Sequence, residues 1–173
     1  LKDIFEIQDD ITKQIIAALN VKLTIGEDAL QIARGTDSLE AYLKYLQARE
    51  RHMRFTKEDN LASRGLVEEA ISIDPEFGVA YSFLAMTHFL DVVLQATKSP
   101  GQSITKAIEL AKKGVALSNA GHDVLGFLYL NTKQYDKAIA ECERAVHLDP
   151  NSATAHTFYG LTLTQTGHFE DAV

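Results

Sequence analysis

Six histidines, one cysteine and 24 acidic residues are the groups of this 173-residue chain that could ligate a metal, move a proton or attack a substrate. Their spacing argues against all three. His52, His88, His122, His147, His156 and His168 include no i, i+4 pair, and the H-E-x-x-H helix that grips zinc is missing. So are G-x-x-x-x-G-K-S/T and G-x-G-x-x-G, the loops whose backbone amides cradle phosphates. A single cysteine, Cys142, forms neither an internal disulfide nor a multi-cysteine zinc site, and fits a reducing, cytoplasmic compartment. No pattern of Lys, Arg or His around it must lower its pKa, so it reads as a buried inert thiol. A nucleophile needs an oriented base, and the sequence offers no such pair. No catalytic residue, cofactor or metal is expected of this chain itself.

Composition narrows the partners. The formal charge is −7 and the pI about 5.3, whereas phosphate backbones are gripped by clustered Lys and Arg, so nucleic acid is not expected to bind this segment. No apolar run approaches the roughly 18 residues that a membrane span needs. At 46% apolar and 24% charged the chain is globular. It opens at Leu1 without Met and stops inside an expected helix at Val173, so it reads as an excised piece of a longer protein.

The elements that would carry these residues repeat. Leu125, Gly126, Tyr129, Tyr135 and Ala138 recur 34 residues later as Tyr159, Gly160, Leu163, Phe169 and Ala172. Glycine meets glycine and alanine meets alanine, small residues that let two antiparallel helices cross at close range. Pro150 cannot continue a helix and biases Asp149 out of the helical region, so a helix ends there. The 7-and-5 spacing of Ala138, Ala145 and Pro150 returns in Ser63, Ala70 and Pro75, and again in Ala107, Gly114 and Asn119. Four units follow, at about 38–75, 78–119, 119–152 and a truncated 153–173. Ala85 precedes Ala107 by 22 residues where Gly126 precedes Ala138 by 12, an insertion of ten. It falls near Asp91 to Ser103 and, with the turn signature Lys98-Ser99-Pro100-Gly101, is expected to lengthen the hairpin between the two helices. Asp37 with Glu40, and Thr56 with Asp59, read as capping boxes that open the first two repeat helices.

Residues 1–36 read as two linker helices outside the repeats. Ile4, Ile7, Ile11, Ile15, Ala18 and Val21 recur at helical spacing, with acidic residues early and Lys22 late, as the helix dipole prefers. The stripe spans at most three heptads, so packing on the first repeat is favoured over dimerisation, with a weak homodimer as the alternative.

The 34-residue hairpin pattern resembles the tetratricopeptide repeat. That resemblance implies an all-α superhelix of helical hairpins binding a protein or peptide partner. The run Leu1-Lys2-Asp3-Ile4-Phe5-Glu6-Ile7-Gln8-Asp9-Asp10-Ile11, with Thr36-Asp37-Ser38-Leu39-Glu40-Ala41-Tyr42 and degenerate repeats after it, resembles the C-terminal regions of large bacterial signalling proteins. In that group a class III adenylate/guanylate cyclase domain or a winged-helix domain precedes the repeats. The resemblance implies a scaffold or regulatory module whose partner includes another domain of the same parent. A cyclase part, or the sensor half of a transcriptional regulator, are its alternatives. It carries no cyclase residue onto this chain.

First helices of such hairpins line a concave face. By register they offer Tyr42, Tyr45, Arg49 and His52, then Val79, Ser82, Phe83, Met86 and Phe89. The third unit adds Asp123, Phe127, Leu130 and Asn131, and the fourth Thr157, Phe158, Leu161, Thr164 and Gln165. Among these Tyr45, Arg49, Phe83, Met86, Phe89, Phe127, Leu130, Asn131, Phe158 and Leu161 form the expected groove. Repeats that clamp a carboxylate use several Lys, Arg and Asn, and here the register supplies only Arg49 and Asn131. An amphipathic helix or an apolar segment is the expected occupant. Two readings stay open, because the same aromatics would serve equally as packing between repeats.

Overall fold

A computed structural model describes residues 35–118 and 121–167. The linker helices expected before residue 35, and Asn119, His168, Phe169, Ala172 and Val173 at the repeat positions, lie outside the described residues. Seven helices are described: α1 Leu39–His52, α2 Lys57–Ile73, α3 Gly78–Val93, α4 Pro100–Ser118, α5 His122–Asn131, α6 Tyr135–Leu148 and α7 Ala153–Thr166. No strand occurs among the described residues, and none of these helices is long and apolar enough to cross a membrane. The chain is an all-α solenoid in which α1 packs on α2, α3 on α4 and α5 on α6, with α7 seated on α5 and α6.

Small residues at the crossings set the hairpins. Ala41, Ala48, Ser63 and Ala70 are fully buried in the first, Ala85, Ala107 and Ala111 in the second, and Ala138 in the third. A Cβ on Gly114 would come within 2.7 Å of the Gly78 carbonyl, so α3 and α4 touch backbone to backbone there. The stops are equally local. After α2 and α6 the Asp74-Pro75 and Asp149-Pro150 pairs build the same turn: Glu76 N–H donates to Asp74 Oδ1 at 3.0 Å and Asn151 N–H to Asp149 Oδ1 at 3.2 Å. Thr56 caps α2 by accepting from the Asp59 N–H at 3.0 Å, as its spacing predicts. In α1 the cap is Ser38, accepting from Ala41 N–H at 3.2 Å, and not Asp37. Thr36 donates instead to Asp74, tying the entry of the first hairpin to its exit.

Each hairpin reverses through one left-handed residue. Phe55 (φ 55°), Gln95 (φ 53°) and Lys133 (φ 60°) occupy the same place after α1, α3 and α5, and Gly167 (φ 85°) takes it after α7. Only the last is a glycine, which holds this conformation without the clash between Cβ and carbonyl.

The ten-residue insertion does not become a loop. Val93 ends α3 eight residues beyond Ala85, against five from Gly126 to the end of α5, and α4 begins seven before Ala107, against three from Tyr135 to Ala138. Seven of the ten residues therefore extend the two helices and three lengthen the connection. Pro100 is the first residue of α4, where its missing N–H costs nothing. The extra turn of α3 is held by α2: Asp91 accepts from Asn60 Nδ2 at 2.7 Å and from Arg64 Nη2 at 2.7 Å, while the Thr87 carbonyl accepts from both side chains at 2.9 and 2.8 Å.

Candidate functional site: a cavity on the concave face

First helices bring Tyr45, Arg49 and His52 of α1 beside Val79, Ser82, Phe83 and Met86 of α3. The opening turns of α5 and α7 and the end of α6 close a cavity of about 640 Å³, with Met53 and Phe55 at its edge. Its walls are mainly apolar. Phe83 stands edge-on to Tyr45 at 5.4 Å and to His52 at 5.1 Å, so three rings brace one another along one side. On the other side Leu148 of α6 and Phe158 of α7 contribute.

Polar groups are few and several are buried. The Arg49 guanidinium lies 6.0 Å from the centroid of the Tyr45 ring. Burial pushes the Tyr45 phenol up to about 12, partly opposed by Arg49. Burial also lowers the His52 imidazole, with the Asn60 side chain pulling the other way. His122, only 5% exposed, opens α5 behind Gly121, whose φ of 90° turns the chain into the helix. Its Nδ1 lies 2.6 Å from Glu141 Oε2 on α6. A carboxylate can only accept, so Nδ1 carries the proton and Nε2 is left as an acceptor in the neutral ring. Among the described residues, five buried side-chain atoms lack a hydrogen-bond partner, and three of these, Arg49 Nη1, His52 Nδ1 and His122 Nε2, are solvent-sealed atoms of residues that line this cavity. The described residues contain no group of three His, Cys, Asp or Glu able to hold a metal ion.

Of the residues the sequence offers for the groove, Tyr45, Arg49, Phe83, Met86 and Phe158 line this cavity. The others are placed elsewhere. Phe89 stands edge-on to Phe127 at 5.1 Å, and Phe127 stacks on Phe158 at 4.7 Å, a ladder of rings joining α3, α5 and α7. Leu130 is 3% exposed and belongs to the core, because α5 carries Leu128, Tyr129 and Leu130 in succession and packs on α3, α4, α6 and α7. Asn131 is exposed and donates to the Phe127 carbonyl of its own helix at 2.8 Å. Leu161 is 37% exposed on α7, away from the cavity. His52 and His122 both line the cavity, whereas His156 faces the Pro150 carbonyl at 2.9 Å and stays outside. Cys142 is fully buried against Gly126, and burial raises its thiol. Sequence reasoning missed Leu148, Val124, Glu141 and the turn at Gly121. The signal for the turn was present, since a glycine just ahead of a helical pattern is where a left-handed entry can form.

With this geometry in place, comparison with known proteins adds two findings. Residues 119–152, the third hairpin, match the tetratricopeptide repeat family. Over 141 residues the chain is 31% identical to the putative adenylate cyclase 3 of Rhizobium meliloti (strain 1021), a match covering 80% of the chain. It covers 24% of that protein, so the chain spans about a quarter of the length of its relative.

Proposed function

We propose that this chain, whose residues 119–152 match the tetratricopeptide repeat and which resembles part of a putative adenylate cyclase, is a protein-docking module serving a larger signalling protein. Its work is passive. A prefolded concave cavity holds a segment of a partner, or of another domain of the same polypeptide, and regulation follows from the difference in affinity for that domain's two states. The observation that carries the reading is the cavity of about 640 Å³, walled by Phe83 and Met86 of α3 and by Phe158 of α7.

Selection of a displayed library of random 12-residue peptides on the purified chain tests docking, with Phe83→Asp as the counter-selected variant. Peptides that bind the chain and not the variant support it. No enrichment over the variant overturns it. Phe127→Asp serves as the contrast, since Phe127 packs between Phe89 and Phe158 and its loss should lower the melting temperature rather than spare the fold.

Service within a cyclase-like protein rests on the 31% identity. Sequencing the native polypeptide on the N-terminal side of Leu1 tests it. A nucleotide-cyclase domain there makes the array its regulatory or dimer-organising arm. A winged-helix domain in that place makes the array the input half of a transcriptional regulator and overturns the cyclase reading.

A further inference from the structure

We propose that the edge of the array formed by its three hairpin tips rests on an anionic lipid bilayer, with the α3–α4 tip pressed into the headgroups. This edge is distinct from the concave cavity and meets it only at Met53 and Phe55.

Position makes the first argument. First helices run side by side, so the α1–α2, α3–α4 and α5–α6 turns fall at one end of the array. Lys57 Nζ donates to the Gln95 carbonyl at 3.2 Å and joins the first tip to the second. Phe89 and Phe127, each four residues before the end of its helix, meet at 5.1 Å and set the third tip beside the second. On this edge Met53 is 73% exposed, Phe55 58%, Val93 56% and Tyr135 43%. Single exposed apolar residues are ordinary on a protein surface, but here every tip carries at least one. Phe55 holds φ 55°, which is costly for a bulky residue, and its ring stays largely in water, so neither the turn nor the core calls for phenylalanine there.

Shape makes the second. α3 ends eight residues beyond Ala85, against four from Ala48 to the end of α1 and five from Gly126 to the end of α5. The middle tip therefore stands about 5 Å proud of its neighbours. Residues 92–103, which build it, include Lys98 and no Asp or Glu. A convex tip requires a matching hollow in a protein partner, whereas a bilayer yields to it, and interfacial side chains seat about 5–10 Å into the headgroup boundary.

Charge makes the third. The tips, at 50–59, 94–99 and 131–137, carry six Lys and Arg against four Asp and Glu. The turns of the opposite edge, at 35–40, 73–77, 118–123 and 147–154, carry six Asp and Glu and no Lys or Arg. Arg51 and Arg54 share Glu50 and Asp59, whereas no ion pair holds Lys98 or Lys133 among the described residues. Near an anionic surface this polarity turns the tips inward and the acidic turns outward, in spite of the net charge of −7.

The chain contains no tryptophan, so Phe55→Trp, Val93→Trp and, at the acidic edge, Ile73→Trp each place a single reporter in the full chain. The probes are vesicles of phosphatidylcholine, alone or mixed with phosphatidylserine. On mixed vesicles the emission of Phe55→Trp and Val93→Trp should move to the blue while that of Ile73→Trp stays, and phosphatidylcholine alone should shift none of them. Co-sedimentation with mixed vesicles should weaken about fivefold for each of Lys57→Gln, Lys98→Gln and Lys133→Gln, and should fall with added salt. All three lysines are exposed, and circular dichroism checks that the fold persists. No sedimentation with mixed vesicles, equal sedimentation with both kinds, or an equal shift of Ile73→Trp overturns the proposal. Retention on polyglutamate with no shift of Phe55→Trp on vesicles assigns the edge to an acidic protein and likewise overturns it. None of these outcomes bears on docking in the cavity.

Discussion

Gly126 of α5 and Cys142 of α6 lie so close that a Cβ on the glycine would fall 2.5 Å from the cysteine sulfur and 3.2 Å from its backbone nitrogen. The third hairpin closes on that contact, and its tightness makes the pair interdependent.

Gly126→Ala should therefore destabilise the chain by about 2 kcal/mol, the cost of overpacking a close crossing. Cys142→Ala removes the nearest obstacle. In a double-mutant cycle read by urea denaturation, the two changes together should cost about 1 kcal/mol less than their sum. Simple additivity would show that the crossing relaxes elsewhere.

The left-handed turns predict a gain. Lys133 holds φ 60° where Gly167, in the equivalent place one repeat later, holds φ 85°. Lys133→Gly should stabilise by about 1 kcal/mol, and Gly167→Ala should destabilise by a similar amount, in spite of open space around Gly167. Melting temperatures that fall for Lys133→Gly would show that flexibility in the unfolded chain outweighs the released strain.

Arg64 and Asp91 are joined at 2.7 Å with side chains 17% and 15% exposed. Removing one partner strands the other in a poorly solvated place. Arg64→Met should cost about 2–3 kcal/mol, whereas truncating the exposed partner Glu50 of Arg54 should change stability by less than about 0.5 kcal/mol. Equal effects in urea denaturation would remove the special role assigned to the α2–α3 contact.

Acid sensitivity follows from two histidines. Burial lowers His52 below its ordinary 6.5, with the Asn60 side chain opposing. Burial lowers His88 as well, aided by Arg64 and Lys106 and opposed by Asp91. The unfolded chain then binds protons before the folded one, so stability is full above about pH 6.5 and declines as pH falls from there toward the lowered folded values. Asp59, lowered first by its bond from Arg51, contributes only nearer its ordinary 3.8, outside that window. The urea midpoint should drop between pH 7 and pH 5, and the drop should shrink in a His52→Gln, His88→Gln double variant. An unchanged pH dependence would assign it to other groups.

Much of the fold was legible because its determinants are local. Asp-Pro pairs stop helices by steric exclusion within two residues, and Gly126, Ala138, Ser63 and Ala70 mark crossings because a larger side chain would hold the axes apart. The site was legible only in part. Tyr45, Arg49, Phe83, Met86 and Phe158 could be placed on the concave side by counting along first helices. Phe127 and Leu130 obey the same count yet pack on neighbouring helices, since α5 is apolar around its circumference.

The sequence by itself determined the repeat period, the hairpin stops and the all-α architecture, for each depends on backbone sterics within a turn or two. Only the tertiary structure decided which aromatic rings face the cavity and which join the repeats. It also made partners of Glu141 and His122, 19 residues apart, and of Arg64 and Asp91, 27 apart. Those pairings depend on the rotation of one hairpin against the next, a quantity that accumulates over many side-chain contacts and is written in no single spacing.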